Sequence, residues 1–279
     1  MLINCRGKLL NLDKPVVMGI INATPDSFFS KSRCIDSDSI RTTAMKMIDE
    51  GASILDVGGF STRPGAANVS AETEAERLRM AIEAIRGADK EVIISVDTFR
   101  SNIAAECISL GADIINDVSG GLIDDGMFDT IARLRVPYIL THTQNASVES
   151  ASRVGDYANV CKDVITFFSE RISKLKSLGA NDIIIDPGFG FAKSLEQNYE
   201  LLTNMSALSS FGYPVLAGIS RKRMVWQVTG GCADDSLDGT TAMNMIALSN
   251  GARILRVHDV AAAADAVKIF NKSQENKSL

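Results

Sequence analysis

The 279-residue sequence has no apolar run long enough to span a bilayer, so no helical membrane anchor is expected. Its five cysteines (Cys5, Cys34, Cys107, Cys161 and Cys232) form no C-x-x-C pair and have no histidine at ligand spacing. That pattern argues against a zinc site and a disulfide framework, and reads as reduced thiols of a cytoplasmic protein. Excess positive charge is missing too. Against 34 acidic residues stand 29 Lys and Arg, a formal net charge of −5. Such a surface does not attract polyanions as a whole, so neither nucleic acid nor a membrane is expected as a partner. Any anion must be gripped by local basic residues. The opening stretch MLINCRGKLLNLDKP lacks the apolar core of a secretory signal.

What the sequence does have is a hidden repeat. Four segments share one order of residues: EGASILDVGG from Glu50, LGADIINDVSGG from Leu110, LGANDIIIDPGFG from Leu178 and NGARILRVHD from Asn250. In each, a glycine suited to a helix C′ position precedes Ala, then an apolar run, then a polar end. The spacing corresponds to two βα units of a barrel. Four further apolar runs lie between them: PVVMGIIN (15–22), EVIISVDT (91–98), PYILTHT (137–143) and PVLAGIS (214–220). Three open on proline, which at the first residue of a strand removes no interior ladder hydrogen bond.

Helical spacing fills the gaps. Tyr157, Val160, Cys161, Val164, Phe168, Ile172 and Leu175 predict a long helix ending before Gly179. Leu195, Tyr199, Leu202 and Leu208 predict another, and Ala242, Met245, Ile246 and Leu248 a third before Gly251. Eight near-continuous apolar runs alternating with helices predict an α/β chain. The even repeat favours a closed (β/α)₈ TIM barrel over a doubly wound sheet, because no glycine-rich fingerprint follows the first strand. One domain is expected over 1–279, with its core at about 15–270 and a polar, frayed tail at 271–279.

In such barrels chemistry sits where the strands finish. The eight ends read Asn22, Asp56, Asp97, Asn116, His142, Asp186, Arg221-Lys222, and Arg256 with His258. One Asp or Asn there is often only a helix cap; carboxylates, amides and bases at end after end have no structural necessity. Asp97, Asn116, Asp186 and Lys222 offer acceptors and donors that match the paired N–H groups of an aminopyrimidinone ring. Arg63, Arg256 and His258 are cationic donors suited to a phosphate or diphosphate. The rim thus reads as a heteroaromatic end and an anion end. Loops 24–28, 61–65 and 220–222 are placed to close over a substrate. Arg221-Lys222-Arg223 also fits a solvated basic face, and Phe189 and Phe191 either stack on a ligand or cap the barrel. Trp226 reads as packing, and His142 as architecture or catalysis.

At these residues the chain resembles the dihydropteroate synthases, folate-pathway transferases of the pterin-binding TIM-barrel family. The resemblance runs from about Val16 to Phe270. It is carried by NATPDSF (22–28), DVGGFSTRPGA (56–66), SVDTFR (95–100), IND (115–117), DPGFGF (186–191), SRK (220–222) and RVHD (256–259). It implies condensation of 6-hydroxymethyl-7,8-dihydropterin diphosphate with para-aminobenzoate, giving 7,8-dihydropteroate and diphosphate. It also implies a homodimer, a sulfonamide target and Mg²⁺ as cofactor. Carried over by position, Asp97, Asn116, Asp186 and Lys222 fall in the pterin pocket, and Asn22 at the Mg²⁺ contact. Thr62, Arg63, Arg256 and His258 fall at the diphosphate, and Phe28, Pro64, Phe191 and Ser220 near the aminobenzoate slot. Asp97, Arg63, Lys222, Arg256 and His258 are the expected catalytic set.

Several residues depart from that pattern. Phe60 stands for a usual Glu, Phe29-Ser30-Lys31-Ser32 for Ser-Asp-Gly-Gly, Thr141 and Thr143 for Met, and Arg223 for a small Ser that often meets the aminobenzoate carboxylate. These changes bear on the second substrate more than on the pterin. Two other functions fit part of the pattern: a pterin-binding methyltransferase barrel and a non-catalytic pterin-binding paralogue. The STRPG and SRK motifs speak against the first, and retained Arg63, Lys222, Arg256 and His258 against the second.

Overall fold

A computed structural model describes residues 1–24, 36–60, 69–144 and 154–275. The chain begins with an antiparallel hairpin, β1 (Leu2–Cys5) and β2 (Lys8–Asn11), which the sequence reading placed outside the core. Its two-residue turn uses Arg6 and Gly7, both at positive φ (54° and 92°). Two positive-φ residues make the turn whose twist matches a hairpin, but Arg-Gly is not the Asn-Gly signal that advertises it.

All eight expected apolar runs form strands: β3 (Val16–Asn22), β4 (Ile54–Gly58), β5 (Ile93–Asp97), β6 (Ile114–Asp117), β7 (Tyr138–Thr141), β8 (Ile183–Asp186), β9 (Val215–Ala217) and β10 (Ala252–Val257). They are parallel and close in the order β10-β3-β4-β5-β6-β7-β8-β9. The four repeat glycines Gly51, Gly111, Gly179 and Gly251 all take positive φ, between 89° and 115°, as helix ends turning into strands.

Around the barrel lie α1 (Ser37–Asp49), α2 (Ala71–Ala88), α3 (Ser101–Leu110), α4 (Met127–Leu134), α5 (Val160–Ser177), α6 (Leu195–Thr203), α7 (Arg223–Thr229), α8 (Leu237–Ser249) and α9 (Val260–Glu275). Asp36, Ser70, Asn159 and Ser194 cap α1, α2, α5 and α6 with side-chain oxygens. Among the described residues no helix is long and apolar enough to cross a membrane.

Four helical expectations need correction. Tyr157 lies outside the long helix, because Asn159 caps α5 and the helix starts at Val160. Leu208 lies in a separate 3-10 turn, Met205–Phe211, because α6 ends at Thr203. On α8 the buried face is Thr240, Met243, Asn244, Ala247 and Leu248, while Ile246 is exposed. The polar tail does not fray at 271: α9 continues to Glu275, with Lys272 and Glu275 ion-paired one turn apart.

Strand alternation sorts the apolar runs into two cores. Leu55, Val57, Ile94, Val96, Ile115, Leu140, Ile183, Ile185, Leu255 and Val257 face the helices. Met18, Ile54, Ile93, Ile114, Ile139, Ile184, Leu216 and Ile254, one from each barrel strand, face inward. Ile3, Cys5, Leu10 and Leu12 of the N-terminal segment join that inner cluster and close the barrel's N-terminal end. The core therefore starts at Ile3, not near residue 15. Leu12 is fully buried, so Leu12→Ala is expected to cost about 2–5 kcal/mol of unfolding free energy. Urea denaturation would measure it, and a loss within error of zero would remove the hairpin from the folding unit.

Candidate active site

Two residues beyond the inner apolar layer, the same alternation turns a second set of side chains inward. Ile54 is followed by Asp56, Ile93 by Ser95 and Asp97, Ile114 by Asn116, Ile139 by Thr141, Ile184 by Asp186 and Ile254 by Arg256. The register aligns Asp56 with Ser95, Asp97 with Asn116 and Thr141 with Asp186. A polar layer therefore rests on a dry apolar one, at the strands' C-terminal ends. Gly218 of the β9 end borders this layer: a Cβ there would stand at ordinary contact distance, 3.7 Å from Asp186 Oδ2 and 3.9 Å from Lys222 Nζ.

Arg256 ties the layer together. Its Nε donates to Asp56 Oδ2 at 2.6 Å and its Nη2 to Asp97 Oδ2 at 3.1 Å, and Asn116 Nδ2 donates to Asp56 Oδ2 at 3.1 Å. Arg256, expected at the anion, lies among the carboxylates, and two of its three nitrogens are engaged by them. Asp56 Oδ1, Asp97 Oδ1 and Asn116 Oδ1 are buried and accept no hydrogen bond. Such acceptors are costly unless a ligand supplies donors. Burial pushes the Asp97 carboxyl up to about 7, with Arg256 opposing and Asp56 and Asp117 adding to the rise. Asp186 is raised by burial as well, against the pull of Lys222.

The basic triplet is split three ways. Arg221 is no solvated residue: it is buried, grips Asp259 with Nε and Nη2 (2.7 and 2.8 Å), and donates from Nη1 to the carbonyls of Ala233 and Asp234. Lys222 turns inward, donates to the Phe189 carbonyl and stands 4.5 Å from the Phe191 ring centroid. Burial brings Lys222 down to about 8. Arg223 is exposed and opens α7. His258 and Ser220 meet through Nδ1 and Oγ at 3.0 Å, while the His258 backbone N–H donates to the same hydroxyl at 3.2 Å. Burial holds His258 down to about 3, with Arg256 adding to the fall, so without an anion beside it the ring is neutral and not the cation expected.

Phe60, where the resembled family carries Glu, packs edge-on against Phe99 at 5.2 Å, and the Arg100 guanidinium covers that ring at 4.6 Å. Arg100 is ion-paired with the fully buried Glu74, which also accepts from Thr98 Oγ1 at 2.6 Å. Thr141, His142 and Thr143 are buried. His142 receives Lys193 Nζ at Nδ1 and is held down to about 2 by burial and by Lys193, so it is neutral architecture.

Of the predicted site residues, Phe28, Thr62, Arg63 and Pro64 lie outside the described residues, as does Ser30. Asp97, Asn116, Asp186, Lys222, Arg256, Ser220 and His258 converge on the barrel mouth, with Phe191 beneath Lys222. Sequence reasoning listed Asp56 without a role and did not notice Lys193. Their signals are an acid within an apolar strand that runs into Gly-Gly, and a lone cation beside a glycine-rich turn.

Asn22 ends β3 half-buried. Among the described residues no group of three or more His, Cys, Asp or Glu is placed to hold a metal. Mg²⁺ takes about six oxygens, keeps several waters and often enters with substrate phosphates. One amide oxygen fits such a substrate-borne ion, not an ion held by protein alone.

Comparison with known proteins identifies the family. The family model "Pterin binding enzyme" matches residues 18–258. A dihydropteroate synthase from Haemophilus influenzae is 39% identical over 265 residues, covering 94% of this chain and 95% of that protein. The Xanthomonas albilineans dihydropteroate synthase solved with 4-aminobenzoic acid superposes with a TM-score of 0.89 at 38% identity, covering 98% of both chains. The enzyme from the same organism in complex with 7,8-dihydropteroate gives 0.86 at 35%, covering 98% of this chain and 99% of that one. With its barrel, its polar mouth and these likenesses over nearly its whole length, the chain belongs to the pterin-binding enzyme family, among the dihydropteroate synthases.

Proposed function

We propose that this chain condenses 6-hydroxymethyl-7,8-dihydropterin diphosphate with para-aminobenzoate, forming 7,8-dihydropteroate and diphosphate. The observation that carries this reading is the set of three buried, unpartnered acceptors, Asp56 Oδ1, Asp97 Oδ1 and Asn116 Oδ1, beside Asp186 and Lys222. An aminopyrimidinone offers donors to the carboxylates and a carbonyl to the lysine, so it satisfies groups that no apolar ligand could.

In the proposed reaction the bond from the pterin methylene to the diphosphate oxygen breaks, and the electron pair leaves with the diphosphate. The arylamine nitrogen forms the new bond and loses a proton to the released anion or to solvent. Asp97 faces the ring, and as a carboxylate it stabilises positive charge developing there. His258 offers an N–H to the leaving anion, with Ser220 fixing its ring. Arg256 holds Asp56 and Asp97 at the ring. Arg63 and Thr62, at the motif that follows β4, complete the diphosphate grip in this reading. Phe191 and Ser220 border the aminobenzoate in this reading, and the resemblance assigns Phe28 and Pro64 to the same substrate. Asn22 would contact a Mg²⁺ brought by the diphosphate, and that ion would supply charge neutralisation to the leaving group.

The test is a steady-state assay with both substrates and Mg²⁺. Dihydropteroate and diphosphate are expected in equal amounts. Pterin binding without product would leave a non-catalytic pterin binder, and no pterin binding would sink the reading. We also propose a homodimer, supported by exposed Val228 of α7 and Leu237 and Ile246 of the neighbouring α8. A cytoplasmic location belongs to the same reading and is supported by the free thiols of Cys5, Cys107, Cys161 and Cys232.

A further inference from the structure

Lys222 is aimed by a loop that a second buried lysine holds from behind. Lys193 is only 7% exposed. Its Nζ donates to the carbonyls of Gly188 (2.9 Å) and Phe191 (3.1 Å) and contacts His142 Nδ1 at 3.0 Å. Three acceptors face three ammonium hydrogens, so the charged form is the one they hold, although burial draws it down to about 7. Acceptance at Nδ1 leaves the His142 proton on Nε2.

The segment between β8 and Lys193 reverses repeatedly, with positive φ at Gly188 (69°), Gly190 (78°) and Ala192 (51°). Ala192 lacks glycine's freedom, so its backbone must be held by its surroundings. Gly188 runs so close to β7 that a Cβ would stand 2.0 Å from the His142 carbonyl oxygen. The two carbonyls that Lys193 takes bracket Phe189, whose own carbonyl accepts from Lys222. The second belongs to Phe191, whose ring lies under the Lys222 ammonium.

We propose that Lys193 is a positioning residue for the pterin site: by drawing Gly188, Phe191 and His142 onto one ammonium, it sets the loop that aims Lys222. What Lys222 meets rests on the proposed pterin substrate; the Lys193–His142 contact does not.

The experiment is a double-mutant cycle on the full chain, with Kd for 6-hydroxymethyl-7,8-dihydropterin diphosphate measured calorimetrically without aminobenzoate. Lys193→Met and Lys222→Met should each raise Kd about tenfold, and the double variant should match Lys222→Met within about twofold, as expected of residues acting through one contact. Additive losses, or wild-type affinity in Lys193→Met, overturn the proposal. The chain has only two histidines, so ¹⁵N-histidine NMR gives a second readout: the Nδ1 signal of His142 should move in Lys193→Met while that of His258 stays. An unmoved His142 signal also overturns it. If Lys193→Met does not fold, Lys193→Gln enters the same cycle with a smaller expected loss and the same demand for non-additivity. A wild-type chain that binds no pterin would defeat the functional reading, and the His142 signal would then decide the contact by itself.

Discussion

Replacing Arg256 by Ala is expected to lower kcat/KM by about 10²–10³-fold, the usual loss when a preorganised charged donor is removed from a site of this kind. Its guanidinium spans two carboxylates from different strands, Asp56 on β4 and Asp97 on β5. Without it both acids lose their cation inside the barrel. They then either take up protons or repel each other, and in both cases they no longer meet the ring as fixed, charged acceptors. Stability falls too, by about 3–5 kcal/mol, because a buried charge without its partner is strongly destabilising. The Arg256 side chain is 19% exposed and that of Asp56 fully buried, so solvent does little to screen the loss. Arg256→Lys should recover little, since one ammonium does not reproduce two forked N–H directions. Steady-state turnover and urea unfolding of the two variants test this. Wild-type turnover in Arg256→Ala would sink both the assignment and the geometry behind it.

The second large effect belongs to Asp97. With its carboxyl at about 7 in the free protein, kcat/KM for the pterin substrate should climb about tenfold per pH unit below 7 and level off above it. Asp97→Asn should remove that limb and lower the plateau about 10²-fold, because the amide keeps the shape but not the charge. An unchanged acid limb in the variant would assign it to another group. The stability consequence has a definite sign. Asp97 is raised from an ordinary 3.8, so between about pH 4 and 7 the folded state retains a proton that the unfolded chain releases. The contribution of neutral Asp97 is therefore full below that window and is lost as pH rises through it. Asp97→Asn should show a shallower decline in urea midpoint from pH 4 to 7.

Much of this molecule was legible in one dimension. The glycines at 51, 111, 179 and 251 announced helix ends, since positive φ at a C′ position is a local demand. Proline before β3, β7 and β9 marked strand starts for the same kind of reason. The polar ends Asp97, Asn116, Asp186 and Arg256 could be placed at one rim because a parallel barrel puts every strand's C-terminal end on one face. The hairpin was missed because its Arg-Gly turn carries a weak signal and its strands are four residues each. The face of α8 was missed because its apolar residues run nearly all round, so their spacing did not select a side.

Pairing is another matter. Arg256 was read with the anion because its charge suits a phosphate, yet the fold sets it between two acids 200 and 159 residues away. Arg221, Lys222 and Arg223 are adjacent in the chain and share one charge, yet one is a buried strut, one lines the site and one faces water. Lys193 shows in the sequence only as a lone cation beside a glycine-rich turn, because its importance depends on which carbonyls the loop turns toward it. Periodicity, glycine position and strand-end chemistry act over a few residues, so the sequence by itself determined the barrel and the ring of polar ends at its mouth. Only the tertiary structure decided which carboxylates share a cation, which histidines are neutral and where each lysine points. Those properties depend on burial and on distances between strands, and neither is written into the order of residues along any one of them.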